Sequence, residues 1–222
     1  MPIWNKISIQ GRNSPIIEHL AFFHDHRILL ITSITLLTFR ILRFSFRRTK
    51  FNRFFLESHT TELFWTSIPA LILIFIALPS LKTLYIIEEN INTLITVKTT
   101  GFQWYWNYDY SNLLSEKKIN SSIINSLKTR TQSTCNSLVI PRITPTRLLI
   151  SSKDVLHSWT IPSIGVKSDA TPGRINQIII TIKRPRILIG QCSEICGAGH
   201  RFIPIYLESP NIKNFINILK FL

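Results

Sequence analysis

Methionine is all but missing from this chain. Met1 stands alone against 38 isoleucines, a ratio no ordinary composition produces. Either the coding sequence is strongly AT-biased, or AUA codons that should read methionine have been written as isoleucine. Acidic residues are scarce too, 12 against 26 Lys and Arg, which leaves a net charge of +14 and a pI near 10.2. Such a balance points to nucleic acid or an anionic membrane surface. Hydrophobic types make up 45% of the chain and the bases are scattered instead of gathered on a stripe, so nucleic acid is excluded as the partner. Cysteine is limited to Cys135, Cys192 and Cys196. An odd number excludes a disulfide framework.

Charge is missing locally as well. Leu63–Leu81 (LFWTSIPALILIFIALPSL) carries none, and Arg27–Phe46 (RILLITSITLLTFRILRFSF) has only Arg27, Arg40 and Arg43, near its ends. Twenty helical residues cover about 30 Å, the thickness of a bilayer core, and arginines near a helix end can snorkel to the interface. The pattern predicts membrane spans over about 27–46 and 63–85, with Pro69 and Pro79 tolerated inside the second. Arg47, Arg48, Lys50 and Arg53 crowd the short connection, which places that loop on the inner side and both termini outside. Residues 1–26 lack a continuous apolar core, so no cleavable signal is expected.

Past Glu88 the period changes. In ITVKTTGFQWYWNYDY, Phe102, Trp104, Trp106, Tyr108 and Tyr110 alternate with Gln103, Tyr105, Asn107 and Asp109, which reads as one strand with the aromatics on one face. RLLISS, RINQIIITIK and RILIG are further β-branched runs between Pro and Ser turns. A helical pattern returns only after Pro210. The expected organisation is residues 1–88 as an N-terminal segment and transmembrane hairpin, then 89–222 as an all-β sandwich or barrel. Residues 111–137 form a polar, basic excursion, with Cys135 as a bystander.

The densest chemistry is GQCSEICGAGH, where Cys192, Cys196 and His200 are each four apart. A disulfide over that spacing would be strained, whereas a thiolate pair suits a metal. The remote candidate is His157, at the end of the strand-like run SSKDVLHSWTIP. Thiolates with imidazole fit copper or zinc, and both stay open on residue types alone. One upstream His with a late Cys/His loop is the layout of copper-binding sandwiches. Two cysteines on that loop allow both thiolates to bridge two coppers, each with one terminal His.

These residues carry a resemblance. DVLHSWTIPSIGVKSDATPGRINQ, GQCSEICGAGHRF, GFQWYWNYDY and FWTSIPALILIFIALPSLKTLY resemble the cytochrome c oxidase subunit 2 family, from about Pro15 to the C-terminus. The resemblance implies a transmembrane hairpin and a cupredoxin-like outer domain with a Greek-key sandwich holding a binuclear copper A centre. It implies His157 and His200 as terminal ligands, Cys192 and Cys196 as bridging thiolates, and Glu194 as a carbonyl ligand. The Glu194 carboxylate would turn toward a Mg2+ shared with subunit 1. Trp104 would receive electrons from cytochrome c, and Glu62 would admit protons. For Trp106, Tyr108 and Tyr110 the expected place is the membrane interface. The implied setting is the lipid bilayer of the mitochondrial inner membrane, multi-pass, with both termini in the intermembrane space. The implied task is to pass electrons to haem a of subunit 1, within an oxidoreductase that reduces oxygen and pumps protons. Quinol oxidases share the hairpin and sandwich but lack these copper ligands. Nitrous oxide reductases share the copper loop but not the hairpin.

Three features depart from the family. Ile203 stands where it has a methionine completing one copper's coordination, and an alkane coordinates nothing; methionine is expected there in the mature protein. The family docks a basic cytochrome through acids. Asp109 and Asp154 remain, but Lys153 adjoins Asp154 and 111–137 is basic, which makes long-range steering of a cation poor. Phe102 replaces a usual histidine.

Overall fold

Ser14 marks the start of the first helix. Its Oγ accepts the Ile17 N–H at 3.1 Å, Pro15 occupies the first helical position, where a missing N–H leaves nothing unpaired, and Glu18 lies in the first turn. In a computed structural model, which describes residues 9, 11–48, 54, 56–88, 92–110, 113, 118–124 and 133–221, this helix, α1, runs Pro15–Arg47. Its 33 residues rise about 50 Å, more than a bilayer core of about 30 Å requires, so the expected span fits within it. Hydroxyls inside it bond back to its own carbonyls: Ser33 to Leu29 at 2.8 Å and Thr35 to Ile31 at 2.6 Å. That leaves little for water to satisfy. Helix α2, His59–Glu88, contains Pro69 and Pro79. Leu63, Phe64, Trp65, Leu71, Leu73, Phe75 and Leu78 are all more than half exposed. Bare apolar sides on helices of this length belong in a membrane, and the chain is a two-span membrane protein. Of the basic connection, Arg48 lies over the Phe44 ring at 4.2 Å; Lys50 and Arg53 fall outside the described residues.

The contacts divide the chain into His19–Ile86 and a second unit joining Met1–Glu18 to Ile87–Leu222. The described residues just before Glu18, grouped with the hairpin on sequence, thus make their contacts with the β unit. Asn13 explains why. Its carbonyl accepts the Lys183 N–H at 2.9 Å, its N–H donates to Ser163 O at 3.3 Å, and its Oδ1 accepts the Arg184 N–H at 3.1 Å. Glu18 pairs with Lys183.

The β unit contains β1 (Ile95–Phe102), β2 (Tyr105–Asp109), β3 (Lys118–Ser121), β4 (Leu138–Val139), β5 (Thr146–Ser152), β6 (His157–Ile161), β7 (Val166–Ala170), β8 (Asn176–Ile180), β9 (Ile187–Gln191) and β10 (Pro204–Glu208), then helix α3 (Ile212–Phe221). One sheet has the order β3-β2-β1-β5-β8, with β1 and β5 parallel; a second is β4-β10-β9; β6 and β7 form a two-stranded ribbon. Alternate residues Val97, Leu148 and Ile150 turn inward, with Trp106, Trp159, Tyr108 and Tyr110 fully buried among them. This is the expected all-β, cupredoxin-like sandwich.

Two expectations are corrected here. The aromatic run is not one strand: the chain reverses at Gln103–Trp104, pairing Phe102 with Tyr105 and Gly101 with Trp106. The turn changes parity, so Phe102 shares a face with Tyr105 and stacks on it at 4.9 Å. That stack is a packing role for the departing residue. Nor do Trp106, Tyr108 and Tyr110 sit at a membrane interface. They occupy the inward positions of β2 and the residue after it, and the Tyr110 hydroxyl donates to Val139 O at 3.0 Å. Burying each such ring contributes about 1.5–3 kcal/mol. Within 111–137, the described part supplies β3, paired with β2, and an Ile123–Thr134 bridge.

Candidate metal centre

Three loops meet at one end of the sandwich: the β1–β2 turn, the β5–β6 connection and the segment between β9 and β10. His157 opens β6, rather than ending the run before it, and is fully buried. Gly101 permits this, because a Cβ there would meet the imidazole at 2.9 Å. The Trp106 ring meets it edge-on, 5.9 Å between centroids. The Cys/His loop is fastened at both ends. Cys192 N–H donates to Ile203 O at 3.1 Å, and Ser193 N–H donates to Ser158 O of β6 at 3.1 Å.

The fold brings the expected donors together. Ligand atoms of His157, Cys192 and Cys196 all lie within 4.8 Å of one another. Cys192 Sγ is 4.0 Å from His157 Nδ1, and Cys196 Sγ is 3.4 Å from His200 Nδ1. His200 therefore joins through Cys196. For a tetrahedral ion with sulfur at about 2.3 Å and nitrogen at about 2.0–2.1 Å, the two donors lie about 3.5 Å apart. The observed separations bracket that value. The Glu194 carbonyl also faces in, 3.4 Å from Cys192 Sγ.

Electrostatics favour a cation. Burial raises the Cys192 thiol, but the facing imidazole and backbone groups of Glu194 and Ser158 outweigh it and hold the thiol below its ordinary value. Burial, followed by the neighbouring Cys192 charge, pushes Cys196 up to about 12. One thiolate thus opposes a second until positive charge arrives between them. Burial works against the His157 imidazolium, yet Cys192 and Asp154 raise its pKa. Soft sulfur and imidazole in a buried pocket fit copper, and the residues present suit it.

Trp104 is 41% exposed, and its Nε1 lies 3.4 Å from Cys196 O. Its ring rests on the loop's glycines. Gly197 adopts φ +119, and a Cβ on Gly199 would come within 2.4 Å of the indole. Gly199→Ala is therefore expected to displace Trp104 and destabilise the unit by about 1–3 kcal/mol through overpacking. The indole N–H resonance of Trp104 in an isotope-labelled sample checks this; an unmoved resonance refutes it.

Glu62 lies in the first turn of α2, its carboxylate 4.0 Å from His59 Nδ1. Ile203 is 1% exposed and shares the core with both cysteines. Sequence reasoning missed Asp154 as part of the site, having counted it only as a docking acid. Its Oδ1 is 2.9 Å from His157 Nε2, and the Asp-x-x-His spacing was the available signal. Gln103 was missed too: its Nε2 donates to Cys196 O at 3.0 Å.

The chain is similar to known proteins over its whole length. Residues 95–210 match the family model described as "Cytochrome C oxidase subunit II, periplasmic domain", and residues 2–83 match "Cytochrome C oxidase subunit II, transmembrane domain". Cytochrome c oxidase subunit 2 of Acheta domesticus is 46% identical over 99% of this chain and 98% of its own length. That of Choristoneura rosaceana is 48% identical over 98% and 97%. The crystal structure of the periplasmic domain of subunit II of cytochrome oxidase (CoxB) of Bradyrhizobium japonicum aligns with a TM-score of 0.57 at 32% identity, covering 59% of this chain and 94% of that one.

Proposed function

The chain belongs to the cytochrome c oxidase subunit 2 family, a subunit of the terminal oxidase, and on that premise we propose that it is the oxidase's electron-uptake subunit. In this reading it accepts electrons from cytochrome c at a binuclear copper A centre and passes them to haem a of subunit 1, where oxygen is reduced and protons are pumped. Bound between these loops, two coppers would supply reversible one-electron chemistry. The convergence of His157, Cys192 and Cys196 within 4.8 Å carries the reading.

Each residue then has a task. Cys192, Cys196, His157 and His200, with the Glu194 carbonyl, would hold the copper. Trp104, exposed on one edge and resting on the loop with the other, receives the electron. The Glu194 carboxylate would hold Mg2+ with subunit 1, and Glu62 would admit protons. Residues 1–88 anchor the chain in the lipid of the mitochondrial inner membrane, and 89–222 form the copper domain in the intermembrane space, where both termini lie.

The full chain, purified in detergent and loaded with copper, tests this. Two coppers per chain sharing one delocalised electron by EPR are expected; a single copper with a localised signal overturns the reading. Residue 203 is expected to be methionine in the mature protein. Exchanging two buried side chains of similar volume costs about 1.5 kcal/mol at most, so the fold does not distinguish them, whereas a metal does. Tandem mass spectrometry of the peptide after Arg201 decides, and isoleucine there refutes the recoding.

A further inference from the structure

We propose that Asp154 is a positioning residue that couples the metal-binding His157 to the turn carrying Trp104, with one carboxylate oxygen assigned to each. The inference rests on the electron-uptake reading above. Asp154 Oδ1 accepts from His157 Nε2 at 2.9 Å and from its neighbour Val155 N–H at 2.6 Å. Oδ2 accepts the Gln103 N–H at 2.6 Å, from a residue 51 positions away. Gln103 then reaches the metal loop through Cys196 O, which also faces the Trp104 indole. The result is a closed circuit: His157, Asp154, Gln103, Cys196 and, across the donor cluster, Cys192 back to His157.

The chemistry of the two oxygens requires a carboxylate. An ionised Asp accepts at both, whereas an amide accepts at one and donates from the other. A carboxylate on Nε2–H fixes the tautomer, leaving the Nδ1 lone pair toward Cys192, and makes the imidazole a stronger donor. It therefore favours the more oxidised state of a bound metal.

Asp154→Asn separates the two roles with little change of shape. If its oxygen keeps His157, an NH2 confronts the Gln103 N–H; if it flips, His157 loses its acceptor. In the copper-loaded full chain, the variant is expected to retain copper while its reduction potential rises and its EPR spectrum changes. Amide exchange at Gln103–Trp104 is expected to quicken about tenfold, as for one lost hydrogen bond. Potential, spectrum and exchange all unchanged would show that Asp154 neither tunes His157 nor holds the turn, and that overturns the coupling. A wild-type chain that binds no copper would instead sink the underlying reading. Should Asp154→Asn fail to accumulate, Asp154→Glu, which keeps the charge but moves both oxygens, is read by the same two measurements against the same outcomes.

Discussion

Replacing Cys192 by serine is expected to abolish copper binding while leaving the sandwich folded. Of the two thiols at the site, Cys192 is the one held below its ordinary value, so it is the thiolate available first to an arriving cation. Its sulfur faces both the His157 imidazole and the Glu194 carbonyl. A serine hydroxyl is a hard donor that stays protonated at neutral pH, and it cannot bridge soft metal ions. Cys196 would be left as the only thiol among the donors that converge with His157. The backbone bond from residue 192 to Ile203 O survives the change. The metal-free protein should therefore lose no more than about 1 kcal/mol, the ordinary cost of a small substitution. Copper content and EPR of the full chain measure the first claim, and thermal unfolding of the metal-free form measures the second. Retention of two coppers with an unaltered spectrum would remove Cys192 from the centre.

Trp104→Leu is expected to slow electron uptake from reduced cytochrome c by about a hundred-fold or more, the scale on which lost positioning acts, with the copper spectrum retained. The indole is the exposed group that also contacts the metal loop, through Cys196 O and the faces of Gly197 and Gly199. Leucine keeps apolar contact but loses the aromatic bridge from the surface. No metal donor is touched, and Gln103 still holds Cys196 O at 3.0 Å. Stopped-flow mixing with reduced cytochrome c separates the outcomes: slow uptake into an intact centre supports the role, and an unchanged rate eliminates it. Cys192→Ser and Trp104→Leu thus fail differently, one by losing the metal and the other by losing the route to it.

The hairpin was legible because it depends on length and polarity alone. Nineteen residues without charge from Leu63 to Leu81 need no partner to declare their surroundings. Strand positions were legible wherever β-branched runs ended at Pro or Ser, as in β5, β8 and β9. The turn at Gln103–Trp104 was not, because an aromatic at every second position hides a reversal of direction. The burial of Trp106, Tyr108 and Tyr110 depended on which face the opposing strands would cover, and that information is not local. Asn13 and Ser14 were invisible for a similar reason: their partners, Ser163, Ile164, Lys183 and Arg184, lie at least 150 positions away.

The same division runs through the site. Cys192, Cys196 and His200 lie within one nine-residue stretch, so the sequence alone placed these soft donors on one loop. The chemistry of thiolate and imidazole then narrowed the metal. Tertiary structure decided the rest. It brought His157 to Cys192 across 35 positions and Trp104 to Cys196 across 92, and it set the Asp154 carboxylate against both His157 and the Gln103 N–H. Donor identity is a property of side chains, which the sequence states. Donor geometry is a property of loops converging from separate strands, and only the packed sandwich supplies it.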